Sequence, residues 1–352
     1  MTTPPFTLNY ALKILAKSAF ANLLPAAVFD PAADVSTVRE LFSTYVRIVE
    51  IENHSYCNRT CWFCPNAQID RHSGNILMTD SVYEKILRDL ESLDYAQTLV
   101  WSRYHEPLAH ESIYPRIAQA RRRLPKAHLV LVSNGDYLNR ESLRRIQDAG
   151  ADRLMLDLYL ADGKERDPSE IRSGLDKFQT RTGLQLVPLG EYDFRCLGTK
   201  VNITMGIPSY TGANMSTRGG LVEIRELSQY QRTAVCFNPL HSVTVDYTGE
   251  CVLCCQVRSD SQQHREAVIG DLNEPDYNLL DFYRDLAAAR RSLLAPGLKL
   301  GVCKTCSISD TGPSRLGRRA AVAAFAAHIP GLHSAFRAVT TRASRTRKYE
   351  LP

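Results

Sequence analysis

From position 46 onward, apolar and mixed blocks alternate along the chain. Short apolar runs at 46–52, 98–101, 128–132, 153–158 and 200–205 read as strands. The stretches between them, at 82–93, 113–123, 140–149 and 170–182, repeat apolar residues with the spacing of one helix face. Thr79 or Asp80 opens the first of these helices. Such alternation predicts an α/β fold of parallel strands joined by right-handed crossovers. After Cys236 the pattern changes. Positions 241–245 and 250–253 flank the turn Asp246-Tyr247-Thr248-Gly249 and predict a β-hairpin, and 279–294 reads as an amphipathic helix.

The chain therefore divides into four parts. Residues 1–44 form an N-terminal extension whose amphipathic helix, over 8–24, ends at Pro25 and packs on the outside. Residues 45–235 form the α/β domain and 236–310 a small second module. Residues 311–352 form a tail in which the alanine-rich 320–327 is helical.

Composition narrows the class. The chain has 352 residues, 44% apolar and 23% charged, enough for a sizeable core. No apolar run approaches the ~18 residues of a membrane span. Lys13 and Lys17 break the most apolar N-terminal stretch, which predicts a soluble cytoplasmic protein with no membrane partner. The net charge is +5, but residues 314–352 hold eight Arg or Lys against Glu350 alone. That tail carries +7 and leaves −2 for the rest, so the body of the protein gives no electrostatic case for nucleic acid. Ten cysteines in a chain expected in a reducing compartment point to metal ligation rather than to disulfides.

Cys57, Cys61 and Cys64 form C-x3-C-x2-C in the loop after the first strand. Three thiolates leave one position of a tetrahedral zinc or of a four-iron cluster open; a zinc closed by His54 or His72 is the alternative. Cys236, Cys254, Cys303 and Cys306 supply four more thiolates, a closed set suited to electron transfer or to a structural zinc. Cys196 and Cys251 read as small buried residues, whereas Cys255, beside a proposed ligand, stays open. Glu50, on the first strand, is a candidate to face a substrate.

The segment from Ser55 to Asn66 resembles the signature of radical S-adenosylmethionine (SAM) enzymes. The resemblance implies a partial (β/α)6 TIM-like barrel, a [4Fe-4S] cluster on Cys57, Cys61 and Cys64, and SAM on its fourth iron, with Phe63 beside the cofactor. Arg103-Tyr-His-Glu-Pro-Leu108 is similar to the family's Gly-Glu-Pro-Leu segment, which makes Glu106 the acceptor for the SAM ammonium and places His105 where glycine is usual. Ser133-Asn-Gly-Asp136 is similar to the Thr-Asn-Gly segment, so Ser133 and Asn134 lie at SAM, and Asp157 and Tyr159 become candidates for its ribose. The second cysteine set resembles the twitch form of the SPASM auxiliary domain, with one further [4Fe-4S] cluster.

Met215-Ser-Thr-Arg-Gly-Gly220 resembles a segment of radical SAM aminocyclitol dehydrogenases of aminoglycoside biosynthesis, in which the arginine faces the substrate. Arg218 would then bind a reacting hydroxyl of an aminocyclitol or aminosugar, the auxiliary cluster would take an electron, and a flavodoxin- or ferredoxin-type protein would supply the reducing one. Three other readings are weighed: a radical epimerase with Cys255 or Cys251 as hydrogen donor, a peptide-modifying enzyme, and a zinc nucleic-acid-binding protein.

Overall fold

The computed structural model describes residues 21–22, 24–160, 166–208, 215–295 and 297–308. Most of the helix expected over 8–24, and the whole tail from 311, lie outside them.

Where caps and stop signals are strong, the helices fall where the sequence puts them. Thr79 accepts from the backbone N–H of Val82 (3.3 Å) and starts α2 (Asp80–Ser92), whose buried face is Val82, Tyr83, Ile86, Leu87 and Leu90. α3 spans Ile113–Arg123. α4 (Arg140–Ala149) opens on a reciprocal box between Asn139 and Ser142 and stops at Gly150, whose φ of +90° suits a residue without Cβ. Asp167 caps α5 (Pro168–Thr182).

Between these helices run β1 (Ile48–Ile51), β2 (Thr98–Trp101), β3 (His128–Ser133), β4 (Arg153–Asp157) and, further on, β7 (Asn202–Gly206). β2 is buried at every position, as expected of a strand covered on both faces. With β8 (Ser242–Val245), these strands make a parallel run in the order β8-β1-β2-β3-β4-β7. Antiparallel strands extend it at both ends: β9 (Glu250–Val252) and β10 (Val268–Asp271) beyond β8, and β6 (Asp193–Leu197) and β5 (Gln185–Pro188) beyond β7. The sheet is thus α/β and parallel-rich, as expected.

Three features differ from the sequence expectation. The division at residue 236 is not a sheet boundary, because β8 pairs with β1 in register from Ile48↔Ser242 to Ile51↔Val245. The extension is not wholly peripheral: α1 (Val35–Tyr45) buries Val38, Leu41, Phe42 and Tyr45 in the main core, with Phe42 edge-on to Tyr283 at 5.4 Å. The helix over 279–294 is two, α6 (Leu279–Asp285) and α7 (Ala287–Leu294), separated at Leu286.

Parallel pairing brings the C-terminal ends of β1, β2, β3, β4 and β8 to one edge. The loops that leave them carry the candidate chemistry.

Two buried histidines tie this core to pH. Burial, then His110, lowers the His54 imidazole to about 4, and burial, then Arg47, lowers His241 to about 4, from an ordinary 6.5. Between those values the unfolded chain binds protons that the folded one refuses. The stability these two rings contribute is therefore complete above about pH 6.5 and is lost as pH falls toward about 4. Each depression corresponds to about 3 kcal/mol. The raised carboxyls of Glu106 and Asp157 act in the opposite sense over the same range, so the rings' share is read by difference: the urea midpoint of His241→Asn is expected to fall less between neutral pH and about pH 4.5 than that of the wild type; an equal fall would show that ring hydrated in solution.

Candidate active site

β1 hands the chain to the loop bearing the first cysteine set. The Cys64 N–H donates to the Cys61 carbonyl (2.9 Å), and that of Cys57 to the Arg71 carbonyl (3.3 Å). Burial pushes the Cys57 thiol up to about 11 and raises that of Cys64 as well. Thiols so placed stay protonated until a metal takes the proton's place. Cys61 and Phe63 pack with Met215, Val222 and Ile224, and Phe63 stacks on Tyr159 at 5.7 Å.

The histidines offered as a fourth zinc ligand are engaged elsewhere: His54 lies edge-on to His105 at 4.9 Å, and His72 lies against Tyr56. Among the described residues, no three His, Cys, Asp or Glu side chains converge on one ion. A single zinc requires that convergence, whereas a four-iron cluster spreads its thiolates around a cube. Three thiols on one loop, one buried and two half-buried, thus fit the cluster in their chemistry.

Glu106 is buried at the end of the loop after β2. One carboxylate oxygen accepts from Ser133 Oγ (2.7 Å) and the Leu108 N–H (3.0 Å), the other from the Asn134 N–H (2.7 Å). Burial outweighs these bonds and pushes the carboxyl up to about 7, so a neighbouring ammonium would restore its charge. Ser133 and Asn134 hold Glu106 in place. His105, expected at the cofactor, has its Nε2 accepting from the Asn53 N–H (3.3 Å) and its ring packed on His54. A side chain, unlike the usual glycine, must go somewhere, and here it fills the space behind β1.

The first cysteine loop is tied to the loop after β3 by residues that sequence reasoning missed. Asp136 accepts from Asn58 Nδ2 (2.7 Å) and from Arg59 Nε and Nη2 (2.6 and 2.7 Å), while Asn134 Nδ2 donates to Asn58 Oδ1 (2.8 Å).

Arg218 stands on the other side of the first cysteine set. Tyr104, Cys64, Cys255 and Tyr159 are the groups whose charge acts on its guanidinium, and Nη1 donates to Gln256 Oε1 (3.2 Å). Asp157, pushed up to about 6 by burial, feels the same guanidinium and accepts from Tyr159 OH at 3.5 Å.

Glu50 faces inward. Val49 and Ile51 join the core, and Glu50, on the alternate face, accepts from Ser102 Oγ; burial raises its pKa. Burial, then the charge of Glu50, pushes the Cys255 thiol up to about 12. Cys251 is a correction to the donor pair: it is wholly buried on β9 in the main core, among the charges of Asp246, Asp271, Asp285 and Lys85 and apart from Arg218.

Cys236, Cys254, Cys303 and Cys306 line one cavity of about 320 Å³, open space included, with Arg232, Leu253, Leu293 and Ile308. Cys254 feels Cys303, Cys306 and Cys236, whereas Cys255 faces Glu50, Gln256 and Arg218. Of the two neighbouring cysteines, Cys254 lines the four-thiol cavity, and Cys255 bonds to Gln256 Nε2. Four thiols on an otherwise largely apolar cavity fit a second cluster in donor type.

A buried ionic knot ties the two regions together. Glu52 receives Arg103 (3.1 Å) and Arg71 (3.4 Å). Arg103, at φ +91°, also donates to the Val257 carbonyl. Arg258 Nη1 donates to Asn66 Oδ1 (2.6 Å), Asn66 Nδ2 to the Tyr104 carbonyl (2.9 Å), and Tyr104 OH to the Gln256 carbonyl (3.0 Å). The segment that follows Cys254 is thus stapled to the loop that carries Cys64.

Among the described residues no helix is long and apolar enough to cross a membrane.

Residues 54–178 match the Radical SAM superfamily, and the chain carries a radical SAM domain in an α/β fold. It is a homologue of a radical SAM dehydrogenase: it is 24% identical over 263 residues to the S-adenosyl-L-methionine-dependent 2-deoxy-scyllo-inosamine dehydrogenase of Niallia circulans, a match covering 74% of this chain and 92% of the relative. In fold it is similar to the crystal structure of BtrN in complex with AdoMet and 2-DOIA, with a TM-score of 0.55 at 20% identity over 75% of this chain and 94% of that one. BtrN in an open conformation aligns with a TM-score of 0.48 at 20% identity over 74% and 92%.

Proposed function

We propose that this enzyme oxidises a secondary alcohol of an aminocyclitol or aminosugar to a ketone, in aminoglycoside-type antibiotic biosynthesis. The observation that carries the reading is Arg218, whose guanidinium feels the charge of Tyr104, of Cys64 in the first cysteine set and of Cys255, and whose Nη1 is bonded to Gln256, two residues beyond Cys254. Cys57, Cys61 and Cys64 would hold a [4Fe-4S] cluster, which together with SAM would supply radical abstraction of a hydrogen atom from carbon. Glu106 receives the SAM ammonium. Arg218 binds the reacting hydroxyl, and Asp157 with Tyr159 borders the same space. Removing a hydrogen atom from a carbinol leaves one proton and one electron to lose before a ketone forms. Arg218 helps the hydroxyl release the proton. Cys236, Cys254, Cys303 and Cys306 would hold a second [4Fe-4S] cluster, which would supply an acceptor for that electron. The apolar packing of Phe63, Met215, Val222 and Ile224 keeps water away. A flavodoxin- or ferredoxin-type donor in a reducing cytoplasm supplies the electron that starts each turnover.

A second reading, epimerisation at a sugar carbon, is supported by Cys255, whose thiol faces Arg218 and Glu50 rather than the four-thiol cavity. One experiment separates them: turnover of 2-deoxy-scyllo-inosamine and related aminoglycoside intermediates in deuterated buffer, read by mass. Oxidation is expected to give a product lighter by two hydrogen atoms, with SAM consumed in step with ketone. A product of unchanged oxidation state that carries one solvent deuterium, absent in Cys255→Ala, would overturn oxidation in favour of epimerisation.

A further inference from the structure

Gln256 is almost fully buried, and its side-chain amide and its carbonyl all have partners. Its Oε1 accepts from Arg218 Nη1 (3.2 Å) and from Ser216 Oγ (3.1 Å), its Nε2 donates to Cys255 Sγ (3.5 Å), and its carbonyl accepts from Tyr104 OH (3.0 Å). Ser216 Oγ in turn accepts from the Arg218 N–H (3.3 Å). The backbone under Arg218 is unusual as well. Arg218 has φ +49°, Gly219 +68° and Gly220 +98°, so an arginine occupies the left-handed region at the head of a three-residue left-handed stretch. For a residue with a Cβ that conformation costs about 1–3 kcal/mol and persists only where its surroundings hold it.

The guanidinium is thereby fixed at one corner. Nη1 is committed to Gln256, while Nε is buried with no hydrogen-bond partner among the described residues. A buried N–H left without an acceptor is costly in a finished structure and marks a place where a ligand atom supplies one. An orphaned Nε alone is common, being found in five other arginines among the described residues; what sets Arg218 apart is that its plane is fixed by Gln256, and an arginine fork takes oxygen most strongly when its plane is set in advance.

We propose that Gln256 is a positioning residue that sets the plane of the Arg218 guanidinium, so that its Nε edge is presented to an oxygen of the substrate. The assignment rests on the reading of Arg218 as the substrate-facing arginine. Gln256 acts through Arg218, and its amide tethers Cys255 beside the same space through Nε2. The sequence gives no hint of this role, because the residue follows a proposed cluster ligand and a spare cysteine in a segment that matches no motif.

The test uses the reconstituted holoenzyme with 2-deoxy-scyllo-inosamine as substrate, together with crystal structures of the variants. Gln256→Met removes the acceptor at nearly constant length. It is expected to raise KM about tenfold or more, the loss of one hydrogen bond to a charged group, to lower ketone formed per deoxyadenosine, and to leave iron content at the wild-type value. Gln256→Glu keeps an oxygen facing both Arg218 and Ser216 and is expected to restore KM. Ser216→Ala unfixes the same oxygen without altering charge. It is expected to shift KM in the same direction by less, and it keeps the question answerable if the methionine variant does not fold. An unchanged KM in both Gln256→Met and Ser216→Ala, or a Gln256→Glu enzyme as impaired as Gln256→Met, overturns the assignment. If the wild-type enzyme forms no ketone, the oxidation reading has failed, and the crystal structures decide the positioning role on their own. A displaced guanidinium in Gln256→Met that returns in Gln256→Glu supports it, and an unmoved one overturns it.

Discussion

Replacing Cys57, Cys61 or Cys64 by alanine is expected to abolish reductive SAM cleavage, with deoxyadenosine reduced to the level seen without enzyme. The three thiols are the whole protein contribution to the first set, and the buried loop around them offers no substitute. His54 is packed on His105, and His72 lies against Tyr56. A two-thiol remnant has too few ligands to hold a four-iron cluster. The proper comparison is Cys196→Ala, because Cys196 is buried on β6 in the main core, far along the sheet from β1. That substitution removes a similar volume from an apolar site and is expected to cost some stability while cleavage continues. Anaerobic iron and sulfide analysis and chromatographic assay of deoxyadenosine check both outcomes. Substantial deoxyadenosine from any of the three loop variants would mean that the open cluster is held elsewhere.

How much of this was legible in advance depended on whether the signal was local. α3 and α4 match their expected bounds because each is a single apolar face, and Asn139 and Gly150 start and stop α4 within the segment itself. α1 escaped notice although Asp34 is a good N-cap, accepting from the Thr37 N–H (2.9 Å), because its apolar face is short and follows a stretch rich in Pro and Ala. β5 and β6 also escaped: β5 includes Pro188 and is largely exposed, as an edge strand can be, so no buried alternation marks it. The pairing of β8 with β1 joins residues nearly two hundred positions apart, and nothing in a local pattern encodes it.

The site divides in the same way. The seven candidate ligand cysteines stand out because cluster ligation demands fixed residue types at tight spacings. Arg218 was legible only by resemblance, since one arginine before two glycines is otherwise an ordinary loop. Gln256, Arg258, Asn66, Tyr104 and Asp136 could not be read at all. Each is one polar residue whose role comes from a partner distant in sequence, as when Arg258 meets Asn66 across 192 positions.

Removing Cys303 and Cys306 together is expected to separate radical generation from product formation. Both thiols line the second cavity with Cys236 and Cys254; the first set and Glu106 lie on the loops after β1 and β2. A double alanine variant should therefore keep its first cluster, cleave SAM and consume reductant, yet form ketone at well under a tenth of the wild-type rate, because the radical left on carbon has no acceptor for its electron. Iron should fall from about eight to about four per chain, the difference between two four-iron clusters and one. The risk is structural, since thiolate ligation can supply much of the folding free energy of a small unit. Here that risk is limited by the sheet. β8, β9 and β10 are paired with one another and through β8 with β1, and the Arg258–Asn66 bond holds the segment after Cys254 without help from any metal. Circular dichroism should accordingly show wild-type secondary structure in the double variant. If that folded variant, with half its iron gone, still makes ketone at the wild-type rate, the electron leaves the substrate by another route and the four thiols serve only to hold the fold.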